Sequence, residues 1–392
     1  MKKKGFALIL FLLFCVLLFS PVTVVVAEDG GKEDFNETVE EMIDRLDLSF
    51  FEEYRDLAKT FFGKDGTLRE NLLSAMKGET SVGYDDLFSY LKNLLLSSVR
   101  EKAPLFASLF CLIVFCSLAR AFSPTKNENG TGEIVHFVSF AVIVGAVSAC
   151  VAEAMAMTKE TVGTMSAVVE GALPVLLSVM SATGQTASVS VFAPAASFFT
   201  VATVSVIENV VLPTVSLLLV ISVVSDLGKG VRLDRLFSFF QSMLKWLIGL
   251  FGATFSLYLT VRGFASSSFD GITLRTLKYA VGNSVPYVGG ILREGADVIL
   301  LSAAIVKNAL GVFSLLIVFS AALALVLNVV ALQLTFRLLA GITEPMSSDA
   351  RIGDFFGKTA TVLNFLAASI LRAGFVFLVF IVMLLVAGTG VI

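Results

Sequence analysis

Histidine and tryptophan each occur once in the 392 residues, and cysteine four times. That scarcity leaves little material for a histidine-based catalytic triad or a metal site. Cys15, Cys111, Cys116 and Cys150 all fall in apolar stretches, where thiols act as small hydrophobes. Charge is scarce too: Asp, Glu, Lys and Arg make up 16% of the chain, against about a quarter in an ordinary soluble domain. A net charge of −3 supplies no cationic field for nucleic acid, so no nucleic-acid partner is expected. There is no Walker-type run, and Gly289-Gly290 is too short for a phosphate loop. What the sequence has in abundance is apolar surface: 56% hydrophobic residues, 35 of them Phe, and a mean hydropathy of +0.87. Such a chain cannot cover itself with polar groups, so lipid must be its solvent over much of its length. The expectation is an all-α, polytopic membrane bundle with no cofactor, and not an enzyme.

Residues 1–27 read as an export signal. Lys2, Lys3 and Lys4 precede an apolar core from Gly5 to Phe19, Ser20-Pro21 breaks it, and Val25 and Ala27 supply small residues before a cleavage site. An uncleaved anchor helix is the alternative, because Val22 to Val26 prolong the run. Either way the lysines stay in the cytoplasm and the chain beyond Ala27 lies outside it. Residues 28–102 then hold 18 of the 32 acidic residues and 10 of the 29 basic ones, a local net charge of −8. Apolar stripes at Phe35, Val39, Met42, Ile43 and Leu46, and again at Leu87, Leu91, Leu94 and Leu95, give this region helical periodicity. It is expected to be a small acidic helical domain held outside the cytoplasm. Paired acids such as Glu40-Glu41 and Asp85-Asp86 could meet a cation or a basic partner; a solvated helix face explains them as well.

The remainder, 103–392, is the expected polytopic domain. Spans are expected at 104–119, 134–152, 246–261 and 365–387, with three apolar stretches in 171–225 and three more in 285–339. The two blocks suggest a repeat. Glu170 to Pro174 opens the first and Gly282 to Pro286 the second, 112 residues later. Charged turns at Arg232–Phe237 and Arg351–Phe356 follow the blocks, offset by 119. The modules run over about 134–231 and 246–351. Hydropathy dips at Thr183–Thr186, Glu208-Asn209, Arg293–Asp297 and Lys307–Gly311 suggest broken or re-entrant helices inside each block. Either a dipping hairpin plus one crossing, or three crossings, satisfies the parity that puts Lys229, Arg232, Arg235, Arg337 and Arg351 in the cytoplasm.

Break and packing candidates are Pro174, Gly184, Gln185, Pro286, Gly289 and Gly290. From Ser181 to Ser205, 16 of 25 residues are Ser, Ala, Thr or Gly, a composition for close helix contacts, for a pore lining or for a subunit contact. Ionisable groups in the apolar blocks are costly and mark pathways or pairs. Glu208 and Lys307 hold comparable places in the two blocks, so they are a candidate intramembrane pair; the alternative, which weighs more, puts both at helix ends near the interface, where Lys can snorkel.

In the order of its parts the chain resembles the stage III sporulation protein AE family of endospore-forming bacteria. The resemblance is carried by Leu46-Asp47-Leu48, the Met76-Lys77-Gly78-Glu79 turn, Glu170 to Pro174 with Gly184, Arg232 to Phe237 and the apolar C-terminus. It implies a membrane subunit of the channel complex between mother cell and forespore. It also implies a place in the mother-cell-derived membrane around the forespore, with other stage III membrane proteins and a separate cytoplasmic ATPase as partners. It brings no catalytic residues. The rival expectation is a self-contained secondary transporter binding a small solute between its two repeats.

Overall fold

The computed structural model describes residues 84–121, 131–182, 186–227, 233–265, 289–346 and 350–386, and the isolated Glu52. The signal segment, most of the acidic region, and Gly184, Gln185 and Pro286 lie outside the described residues. Every described element is helical, with no strand among them. They are α1 (Tyr84–Ala121), α2 (Thr131–Ala182), α3 (Thr186–Val206), a π-helical turn (Ile207–Val211), α4 (Leu212–Leu227), α5 (Asp234–Ala265), α6 (Gly289–Met346) and α7 (Ala350–Val386). Among them, five stretches are long and apolar enough to cross a membrane: Phe137–Ser181, Phe192–Asp226, Asp234–Thr260, Ile305–Glu344 and Arg351–Leu385.

The helices are fewer and longer than the hydropathy profile suggests. α2 runs 52 residues without interruption, joining the expected span 134–152 to the first stretch of the first block. Pro174 lies inside it, exposed, and does not break it. Similarly α6 runs 58 residues through both the Arg293–Asp297 and Lys307–Gly311 dips, with Gly289 and Gly290 as its first residues. α1 is continuous across residue 102, so the last helix expected of the acidic region and the span at 104–119 form one rod containing Pro104. A charged side chain lowers hydropathy without freeing any backbone group. In an apolar solvent the helix is the cheapest way to keep those groups bonded, so it continues.

The Glu208-Asn209 dip has a different outcome. α3 and α4 are joined by the π turn, in which the Leu212 amide donates to the Ile207 carbonyl five residues back. Pro213 follows at once. It has no amide to offer the preceding turn, and its ring would crowd the carbonyl four residues earlier. A widened turn relieves that crowding while the rod continues.

α6 forms the centre. Of its most apolar window 83% is buried, against 17% for α5, and it packs most extensively on α7, then on α2 and α1. α6 and α7 are antiparallel: Gly353 faces Ala340, Gly374 faces Ala322, and Gly311 faces Leu385. These glycines let the two backbones close on each other. A second seam joins α3, α5 and α7 through the rings of Phe199, Phe255, Tyr258 and Phe380. Several buried hydroxyls bond to their own helices, as Thr158 does to the Ala154 carbonyl (2.6 Å) and Ser314 to that of Leu310 (2.8 Å). The core is therefore held by packing more than by a polar network.

Candidate functional site

The most concentrated polar chemistry among the described residues lies where α4 ends, α5 begins and α7 passes. Asp226 is in the last turn of α4, Asp234 in the first turn of α5, and Lys358 two turns into α7. Lys358 Nζ donates to Asp226 Oδ1 at 2.6 Å, lies 3.0 Å from Asp234 Oδ1, and donates to Ser225 Oγ at 3.3 Å. Ser225 in turn donates to Asp234 Oδ1 at 3.4 Å. The Asp226 side chain is 7% exposed and that of Lys358 19%, whereas Asp234 is 65% exposed. This pairing is thus a mostly buried ion pair with a second, wet carboxylate at its edge. Around it Asp226 Oδ2, Ser222 Oγ and Thr359 Oγ1 are buried with no hydrogen-bond partner. Local sequence supports the geometry: an acid at the start of α5 suits the positive end of the helix, and the Phe237 amide bonds to the Leu233 carbonyl at 2.9 Å. The site connects α4 and α5 to α7, whose first residues include Arg351–Phe356, through a contact between residues 132 apart in sequence.

A second polar layer lies further along the bundle. Glu208, in the π turn, pairs with Lys159 of α2 at 3.7 Å; both are partly exposed. Lys307 is buried on α6, 3% exposed. The ion pair Glu208 makes is with α2, a partner that reading the two blocks against each other overlooked. Beside the π turn Arg372 of α7 donates to the backbone carbonyl of Ile248 on α5. It fits because Gly252 lies opposite: a Cβ there would come within 2.8 Å of Arg372 Nη1. A shallow crevice lined by Thr203, Ile207, Val211, Ile248, Ser369 and Arg372 opens at this point.

Another crevice between α1, α2 and α6 gathers Lys102, Glu153 and Asn328. No group of three or more His, Cys, Asp or Glu among the described residues could hold a metal ion. Of the sequence candidates, Pro174 is exposed on α2, and Gly289 and Gly290 begin α6. Asp226 and Lys358 were missed. The available signal was that the two charged turns, 119 residues apart, belong to equivalent places, with an acid shortly before the first and a lysine shortly after the second.

Long apolar helices around a buried central rod, with ionic side chains gathered into layers, define a multi-pass helical membrane protein. The sequence profile of stage III sporulation protein AE matches residues 67–388, the greater part of the chain. This chain belongs to that family. It is similar to the stage III sporulation protein AE of Bacillus subtilis (strain 168), with 23% identity over 371 residues covering 92% of this chain and 90% of that one. No solved structure matches. The family is one of sporulation membrane proteins and not a known enzyme family.

Proposed function

We propose that this chain is a membrane subunit of the sporulation channel complex linking mother cell and forespore, serving as a scaffold or conduit component required for forespore development. The observation that carries the reading is the family match along nearly the whole polytopic region, 67–388. In this reading the protein sits in the mother-cell-derived membrane around the forespore. The acidic region 28–102 faces the intermembrane space, and the Asp226–Lys358–Asp234 cluster lies at the cytoplasmic face, with Lys229, Arg232, Arg235 and Arg351 near its members in sequence. Other stage III membrane proteins meet it there, and a separate cytoplasmic ATPase supplies energy. A packed core closed by apolar seams suits a scaffold, because such seams fix the angles at which outer faces are presented.

A second reading, a self-contained permease for a small solute, draws on one feature: Arg372 beside a π turn in a crevice, an ionisable group at membrane depth. Both readings are tested by purifying the full chain from sporulating cells in mild detergent and reconstituting it alone. The subunit reading expects other stage III membrane proteins to co-purify and proteoliposomes holding only this chain to accumulate no solute. Elution alone, together with solute uptake by those proteoliposomes, would overturn it.

A further inference from the structure

The crevice between α1, α2 and α6 carries charges of both signs that do not neutralise each other. Lys102 and Glu153 line it together with Asn328, over an apolar wall that includes Leu105, Val329 and Leu332. Lys102 Nζ lies 3.1 Å from Oε1 of its sequence neighbour Glu101, whose side chain is 63% exposed and therefore well hydrated; that of Lys102 is 14% exposed. Among the described residues the side chains of Glu153 and Asn328 make no hydrogen bond or ion pair. A mostly covered lysine and an exposed carboxylate thus share one crevice without pairing with each other. The space between them has a positive end and a negative end, and an amide at its side able to donate.

Both helices change composition at this crevice. Before Lys102, α1 exposes Lys92, Arg100 and Glu101 among Leu95, Leu96 and Val99, the mixture of a surface that meets lipid headgroups. After it, Ala103 to Leu118 contains no Asp, Glu, Lys or Arg. α2 shows the same change in the opposite chain direction. Phe137 to Ala152 contains no such residue, and Glu153, Lys159 and Glu160 follow, all exposed. Because Lys102 and Glu153 line one crevice, the two changes fall at one level on this flank of the bundle.

We propose that the crevice lined by Lys102, Glu153 and Asn328 binds one phospholipid whose headgroup is zwitterionic and ends in a primary ammonium, as in phosphatidylethanolamine. Its phosphate accepts from Lys102 Nζ and the Asn328 amide, its ammonium donates to the Glu153 carboxylate, and an acyl chain lies along Leu105, Val329 and Leu332. Charge complementarity selects this occupant. An anionic headgroup satisfies Lys102 but leaves Glu153 facing a like charge, and a trimethylated ammonium has no proton to donate to it. The bound lipid joins α1 to α2 and α6 at a place where the protein's own side chains leave polar groups open. Neither the partners nor the conduit role enters the argument, so the proposal stands apart from the functional reading.

The test offers the full chain, purified in mild detergent and stripped of native lipid, an equimolar mixture of phosphatidylethanolamine, phosphatidylglycerol and phosphatidylcholine with identical acyl chains. Native mass spectrometry then reads which lipid is retained. The unsubstituted chain is expected to hold phosphatidylethanolamine about threefold to fivefold over either competitor, the factor that one partly exposed ion pair supplies. Glu153→Gln should erase the preference over phosphatidylglycerol, and Glu153→Lys should reverse it. Lys102→Met should lower retention of all the lipids, whereas Lys92→Met, at an exposed lysine that does not line the crevice, should leave the pattern unchanged. Equal retention of the lipids by the unsubstituted chain, the result if another segment or a protein partner fills the crevice, would overturn the proposal. So would an ethanolamine preference that survives Glu153→Gln.

Discussion

At Lys358 a single ammonium serves two carboxylates of very different exposure, and the two should respond differently to substitution. Lys358→Met leaves Asp226 charged, 7% exposed and without its cation, a change expected to cost about 3 kcal/mol, because breaking a buried pair strands the other charge. Thermal unfolding of the detergent-solubilised chain should show a clear drop in Tm, and Lys358→Met with Asp226→Leu should recover most of it. Asp234→Asn, at a side chain 65% exposed, is expected to cost less than about 1 kcal/mol. Gly374 offers a comparison free of charge. A Cβ there would lie 2.9 Å from Ala322 Cβ on the central rod, and neither group has a flexible end to move. Gly374→Ala should push α6 and α7 apart at a cost of about 1–3 kcal/mol, visible in the same unfolding measurement. Gly252→Ala meets only the tip of Arg372, which can swing away, and is expected to be milder.

Among the elements, the π turn gives the sharpest contrast between partners. Glu208→Lys would face Lys159 with a like charge. Its effect on the amount of protein in the membrane and on sporulation frequency should be relieved by Lys159→Glu. Relief by Lys307→Glu in place of Lys159→Glu would restore the pairing between equivalent places of the two blocks. Much of the element layout was readable in the sequence: the expected spans 134–152 and 246–261 fall within α2 and α5, and the described part of 365–387 within α7. Interruptions were harder to read. Hydropathy registers side chains, whereas a helix is broken through its backbone, so the charges at Arg293–Asp297 and Lys307 left α6 whole. At Glu208-Asn209 the feature that matters is Pro213, a backbone effect a few residues downstream of the polar pair. The Asp226–Lys358 contact joins residues 132 apart and follows no local period, so it became visible only once the two charged turns were placed side by side.

For the whole molecule, length is the governing quantity. Rods of 52 and 58 residues exceed a bilayer core, and a rod that never reverses within lipid crosses it once. In the proposed reading α1 crosses along with the five apolar stretches, which puts the acidic N-terminal region and the C-terminus on one face and the charged turns on the other. In that reading the Lys and Arg of those turns mark that second face as the cytoplasmic one. Protease added to intact protoplasts expressing the full chain, with fragments identified by mass spectrometry, tests this arrangement most directly. The account predicts cleavage within residues 28–83 while the Lys229–Arg232 segment is spared until the cells are lysed. An intact acidic region with cleavage at Lys229–Arg232 before lysis would contradict it.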